Sequence, residues 1–188
     1  MRKVYIDCGA WTGDSVKAFI KYYDDYEIYA FECHPDLKEN LENMSKDLGF
    51  NFSNKAVWVK DKKIGLFLGM GDLTQSTTLF SSKKKYIDRA NPVKIDAIDF
   101  SRWILNTFEK DDYIICKMNI EGAEYPILDK MLKDDSINYI NILFISWHWR
   151  KLKGFPESKH IRILTSVKQR TNVIPWKFVE GEGENPFI

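Results

Sequence analysis

The chain has 188 residues, with 28 Lys and Arg against 27 Asp and Glu for a formal net charge of +1, and it is 44% hydrophobic and 14% aromatic. That composition excludes a disordered chain, and the length suits one α/β domain with a real core better than two. The charge balance gives no electrostatic case for nucleic-acid binding, and no apolar run approaches the roughly 18 residues of a membrane span.

Short apolar runs alternate with helical patterns along the whole chain. Val4 to Cys8 reads as a strand, Gly9 to Gly13 as a turn, and Asp14 to Tyr23 as a helix, with Val16, Phe19 and Ile20 at helical spacing. Ile28 to Phe31 is a second strand ending in Glu32. Pro35 opens a helix carrying Leu37, Leu41 and Met44 on one face, which stops near Gly49. Phe50 to Val59 reads as one strand, and Lys60 to Lys63 as a turn into Ile64 to Leu68. Gly69 to Ser82, rich in Gly, Ser and Thr, reads as a long loop, a feature uncommon unless functional. Lys94 to Ile98 is extended, Phe100 to Phe108 a short helix, Tyr113 to Ile120 a strand and Tyr125 to Leu132 a helix. Ile140 to Trp147 is a strand, Glu157 to Lys168 a helix and Val173 to Val179 a last strand. This order predicts a doubly wound, mostly parallel sheet with helices on both faces, in a single domain over residues 1–188 without repeat or linker. The tail from Gly181 to Ile188 is expected to be loosely held. Cys8, Cys33 and Cys116 stand at no metal-ligand spacing and within apolar runs, which suggests reduced thiols in a cytoplasmic protein. Met1-Arg2-Lys3 leads straight into a strand, so a signal peptide is not expected.

Open sheets of this type bind ligands beyond the carboxyl ends of their strands. Asp7-Cys8-Gly9, Glu32, Asn54-Lys55-Ala56, Asn119-Ile120-Glu121 and His148 stand at or near such ends. The turn Asp7 to Ser15 fails the G-x-G-x-x-G dinucleotide spacing, since Asp7 takes the first place and Thr12 the third. An acid there would repel a pyrophosphate but suits a cationic aminoacyl ligand such as S-adenosylmethionine. Glu32, at the next strand end, suits both hydroxyls of a ribose. Gly9 and Gly13 also fit a purely structural tight turn, with Asp14 as a helix-start residue.

Asp7-x-Gly9-Ala10-x-x-Gly13-Asp14-Ser15, Tyr29-Ala30-Phe31-Glu32, Lys117-Met118-Asn119-Ile120-Glu121-Gly122-Ala123-Glu124 and Ile145-Ser146-Trp147-His148 together resemble the FkbM-type S-adenosylmethionine-dependent methyltransferases, from about Val4 to Leu164. The resemblance implies the class I methyltransferase (Rossmann-like) fold, with about seven strands, and O-methylation, frequently of sugar hydroxyls. It implies that Asp7, Gly9, Ala10, Trp11, Gly13, Asp14 and Ser15 surround the methionine part of the cofactor. Glu32, with Cys33 beside it, would hold the ribose, and Asn54, Lys55 and Ala56 would lie along the adenine. Lys117, Asn119, Glu121, Glu124 and His148 match strand-end positions near the transferred methyl. Where the family pattern has Asp, this chain has Asn119, which can hydrogen-bond but cannot act as a base.

His148 is the neutral-pH base candidate, with an ordinary pKa near 6.5, and Glu121 the next if burial raises its pKa. Glu124 also fits the role of a helix-start acid, and Lys117 that of neutralising the acid cluster. Trp11, Trp147 and Trp149 read as core, with Trp149 also suited to stack on a sugar. The 69–82 loop, with Asp72, Gln75, Ser76 and Thr77, has the composition of an acceptor lid. Lys83-Lys84-Lys85 reads as a solvated face or, alternatively, a handle for an anionic acceptor such as a nucleotide-linked sugar. His34 and His160 receive no role. The expected partner is a carbohydrate or other small hydroxylated acceptor, and no spacing dictates a metal site.

Overall fold

The computed structural model describes residues 1–70, 76–84, 86–177 and 185–187. The main sheet holds six strands: β1 (Lys3–Cys8), β2 (Glu27–Phe31), β3 (Asn51–Ser53), β7 (Tyr113–Met118), β8 (Ile140–Ile145) and β9 (Asn172–Pro175). All are parallel, in the order β3-β2-β1-β7-β8-β9. A side sheet holds β4 (Ala56–Trp58), β5 (Lys62–Leu66) and β6 (Val93–Asp99), ordered β4-β6-β5. The helices are α1 (Asp14–Tyr22), α2 (Lys38–Leu48), α3 (Phe100–Thr107), α4 (Glu124–Lys133) and α5 (Glu157–Lys168).

Strands β1 and β7 are buried almost throughout, as expected of central parallel strands covered on both faces. On one face Val4, Ile6, Cys8, Ile114, Cys116 and Met118 meet α3, α4 and α5. On the other, Tyr5, Ala30, Ile115 and Phe144 meet Val16 and Phe19 of α1, and the Tyr5 and Phe19 rings stack 3.9 Å apart. The chain winds outward from β1 through β2 to β3, then returns to β7 on the other side of β1. Strand order therefore reverses between β1 and β7, which opens a crevice at their carboxyl ends.

Three sequence expectations change. Phe50 to Val59 is not one strand: β3 joins the main sheet and β4 the side sheet. The break falls at Asn54, whose side-chain N–H donates to the Glu32 carbonyl (2.7 Å) and draws the backbone out of the ladder. Described parts of the 69–82 segment are paired rather than loose: Thr78 exchanges backbone hydrogen bonds of 2.9 and 3.0 Å with Phe67, and Gly69 bridges Ile87. The chain end is docked at Phe187, which is 7% exposed and packs on Tyr5, Phe19 and Phe144. Asp72, Gln75, Lys85, and Phe178 and Val179 of the expected last strand, lie outside the described residues, as do 181–184 of the tail.

Candidate active site

The turn after β1 is folded down by Gly9 N–H and Ala10 N–H, which both donate to the Phe31 carbonyl at 2.9 and 3.0 Å. Gly9 has φ +89, and a Cβ there would lie 2.4 Å from the Asn119 carbonyl oxygen, so only glycine lets β1 and β7 approach here. Gly13, at φ +85, caps α1, and a Cβ there would meet the Met44 sulfur at 2.5 Å. Gly13 is thus held by packing, away from the cavity described below.

Glu32 is nine-tenths buried at the end of β2. Its Oε2 accepts from Trp11 N–H (2.9 Å) and its Oε1 from His34 N–H (2.8 Å), so the carboxylate is oriented by backbone on both sides. Asn54, expected along an adenine, instead tethers the Glu32 carbonyl and does not line the cavity. Its neighbours Lys55 and Ala56 do line it. Cys33 also lines it as a neutral thiol, because burial pushes its pKa up.

Asp7 is fully buried and does not reach the cavity, contrary to expectation. Its Oδ1 accepts from Lys117 Nζ (2.8 Å), and its Oδ2 from the Tyr5 hydroxyl (3.1 Å) and the Ser15 hydroxyl. Lys117 Nζ also donates to the Gly9 carbonyl (2.7 Å). This buried pair locks the glycine turn to β7 from beneath. Ser15 and Asp14 remain on the cavity wall.

At the end of β7, Glu121 has φ +53 and sits among three cations: Lys83 Nζ (2.6 Å), Lys151 Nζ (2.8 Å) and His148 Nε2 (3.2 Å). Burial alone would raise its pKa, but the hydrogen bond and charge of His148, with Lys151 and Lys83, hold it well below the usual carboxylate range. His148 is 6% exposed and also faces Glu124, whose Oε1 accepts from the His148 backbone N–H (2.8 Å) and lies 3.1 Å from Nδ1. Burial opposes its charge, yet hydrogen bonds to Glu121 and Glu124 raise its pKa to about 9. At neutral pH the imidazole is therefore already protonated, and it does not line the cavity, so the base role expected of it does not fit. Glu121, paired with three cations and ionised, is not the raised-pKa acid considered as its substitute. Lys83 was expected on a solvated face but is 3% exposed, and burial lowers its pKa despite Glu121.

A cavity of about 650 Å³ opens at the strand-order reversal. Gly9, Ala10, Trp11, Glu32, Lys55 and Ala56 bound one side, and Asn119, Glu121, Ser146, Trp176 and Lys177 the other; Lys117 also reaches it. Thr77, Thr78 and Leu79 of the 69–82 segment also line it. The Thr78 hydroxyl donates to the Glu121 carbonyl (2.7 Å). Asn119 N–H donates to the Cys8 carbonyl (3.0 Å), and its side-chain amide makes no hydrogen bond among the described residues. Sequence reasoning missed Ser146, Trp176 and Lys177 as lining residues. The pattern Ser146-Trp147-His148 pointed at this strand end, but no signal singled out Trp176. Trp147 and Trp149 pack against the core, and Trp149 stacks on His160 at 5.6 Å. Among the described residues no group of three or more His, Cys, Asp or Glu side chains could hold a metal ion. No described helix is long and apolar enough to cross a membrane.

Six parallel strands in this order, with helices on both faces and a glycine turn opposite an acidic strand end, define the Rossmann-like fold of class I methyltransferases. The "Methyltransferase FkbM domain" family model matches residues 7–173, and the chain belongs to that family. Among solved structures, it is similar to the crystal structure of Methyltransferase FkbM from Methylobacillus flagellatus KT, with a TM-score of 0.56 at 13% identity. The match covers 90% of this chain but 38% of that one, so the chain spans well under half the length of that relative. No curated protein matches the sequence.

Proposed function

We propose that the chain is an S-adenosylmethionine-dependent O-methyltransferase that modifies a hydroxyl of a sugar or glycoconjugate. The observation that carries this reading is the cavity at the strand-order reversal, with a backbone-built turn and Glu32 on one side and a mixed polar and aromatic wall on the other. The residues fit the cofactor. Gly9, which lines the cavity, lets the turn fold tightly against Asn119. Glu32 keeps lone pairs free after accepting from Trp11 and His34, enough for two ribose hydroxyls. Lys55 and Ala56 would flank the adenine, and the Gly9–Trp11 turn with Asp14 and Ser15 the methionine part.

When bound, S-adenosylmethionine supplies an electrophilic methyl group on a sulfonium sulfur. This chain contributes position. The Lys117–Asp7 pair fixes the turn, Asn119 and Ser146 offer hydrogen bonds to an acceptor, and Trp176 offers a ring to a sugar face. Glu32 and His34 line the cofactor side of the cavity, whereas on the acceptor side Glu121 is ion-paired with Lys83 and Lys151 and His148 does not line the cavity. In-line placement of the acceptor oxygen therefore carries more of the rate than proton removal does. The acceptor polarity suits a sugar, and a small hydroxylated metabolite would meet the same groups. Three unpaired cysteines fit a cytoplasmic setting.

A second reading, a cofactor-binding module without catalysis, draws on Asn119 and on the neutralised carboxylates around it.

Calorimetric titration with S-adenosylhomocysteine tests the cofactor site. Saturable binding is expected, weakened about tenfold or more, roughly 1.4 kcal/mol, by Glu32→Ala. A folded protein that binds none of it would overturn the reading. Transfer of labelled methyl to a panel of sugars would then separate the enzyme from the module.

A further inference from the structure

We propose that segments 82–84 and 150–153 form an anion-binding subsite at the acceptor end of the cavity, so that the methyl acceptor is a sugar bearing a phosphate or diphosphate. This rests on the methyltransferase reading above and names its substrate class. The two segments are far apart in sequence, and an antiparallel bridge between Lys83 and Leu152 joins them. Lys84 N–H donates to the Lys151 carbonyl and Lys153 N–H to the Ser82 carbonyl, both at 2.9 Å.

Side chains alternate across such a bridge. Lys83 and Leu152 turn inward, at 3% and 4% exposure, while Lys84, Lys151 and Lys153 stand on the exposed side with Arg150 beside them. Lys84 and Lys151 are thereby placed opposite each other, an arrangement that is destabilising by itself because like charges repel. Glu121 answers only part of this charge. It pairs with Lys151 from the outer side and with Lys83 from below. Lys84, Arg150 and Lys153 make no ion pair among the described residues.

In a chain whose net charge is +1, this concentration of unanswered cations is local, and it is fastened to the cavity. Glu121 lines that cavity, and its backbone carbonyl accepts from Thr78 of the 69–82 segment. Several closely spaced amines and a guanidinium match a compact multivalent anion better than a single carboxylate. These cations do not themselves line the cavity; Glu121, which does, pairs with Lys151 and so sets their ridge beside the wall that would hold the acceptor. A sugar hydroxyl seated near Asn119 would leave an attached phosphate free to reach the ridge.

The test uses the whole chain saturated with S-adenosylhomocysteine, titrated with pyrophosphate, glucose 1-phosphate and methyl glucoside. Both phosphates should bind, more weakly as salt is added. The double variant Lys84→Gln/Lys153→Gln, at exposed positions, should lose about tenfold or more of that affinity while S-adenosylhomocysteine affinity is unchanged. Pyrophosphate that fails to bind, or binds the double variant equally well, would overturn the subsite. Binding of anionic lipid vesicles without binding of either soluble phosphate would also overturn it, in favour of a membrane contact. Loss of S-adenosylhomocysteine binding in the unmodified chain would strike the underlying reading instead, and that outcome is visible before any phosphate is added.

Discussion

The two walls of the cavity are built from different materials. On the β1–β2 side the groups that meet the cavity are held mainly by backbone: Gly9 and Ala10 hang from the Phe31 carbonyl, and Glu32 is held by two peptide N–H groups. On the β7–β8 side the framework is ionic. Glu121 collects Lys83 and Lys151 from two separate segments and His148 from the end of β8, and Glu124 closes the group from the start of α4. Backbone geometry tolerates little change, because each hydrogen bond fixes a dihedral of the turn itself. An ion cluster can be retuned one side chain at a time, which suits the wall that meets a variable acceptor.

The largest expected effect lies at the buried Lys117–Asp7 pair, which helps fasten the two walls together. Lys117→Met would leave Asp7 fully buried with its principal countercharge gone, and the Gly9 carbonyl would lose a donor. Breaking a buried pair from one side typically costs about 3–5 kcal/mol. Urea denaturation should show a loss of that size, together with much weaker S-adenosylhomocysteine binding. The double variant Lys117→Met/Asp7→Asn should recover part of the stability, because no lone charge remains. Equal losses in the single and double variants would mean that the pair does not join the walls.

A smaller effect separates the ionic wall by pH. The folded-state pKa of His148 is raised from 6.5 to about 9, so its contribution is fully present below pH 6.5 and is lost as pH rises through about 9. Stability should therefore fall by about 1–3 kcal/mol across that window. The variant His148→Gln should be less stable at pH 6 and lack that slope. Glu121 has the opposite sign: its depressed pKa contributes above pH 4.5 and is lost in acid. A slope that persists in His148→Gln would assign the titration elsewhere.

The same contrast governs what was legible in the sequence. The glycine turn, Glu32 and β7 could be read because each is a local pattern: glycines at a strand end, an acid after an apolar run, buried residues in succession. The division of Phe50 to Val59 between two sheets could not, since it depends on Asn54 reaching a carbonyl 22 positions away. Lys83 looked solvent-bound because the sequence does not show Glu121 waiting beneath it, 38 positions on. His148 shows how a correct position can carry a wrong protonation state. Its place at the end of β8 was readable, but the carboxylates on both sides of the ring come from the β7–α4 connection (Glu121) and the start of α4 (Glu124) and are seen only after folding. Phe187 was hidden for a similar reason, as a lone aromatic near the chain end gives no sign of the Tyr5–Phe19 stack that receives it.

The smallest expected change in stability comes at Asn119, and it bears most directly on how the acceptor is activated. The backbone of Asn119 is pinned by the Cys8 carbonyl and presses on Gly9, whereas its amide has no hydrogen bond among the described residues. Asn119→Asp keeps the side-chain shape but adds a charge at a half-buried position, so folding stability should fall by about 1 kcal/mol or less. Chemically the change is larger. Asp7 is held by Lys117, Glu121 by Lys83 and Lys151, and His148 is a cation, so the substitution would place on the β7–β8 wall a carboxylate that none of these pairs already engages. If proton removal limits a hydroxyl acceptor, turnover should rise about tenfold or more, within the range that a positioned base supplies, and the gain should grow with pH through the carboxylate range. An unchanged turnover with an active acceptor would show that position alone sets the rate, and that Asn119 belongs to a working site rather than a disabled one.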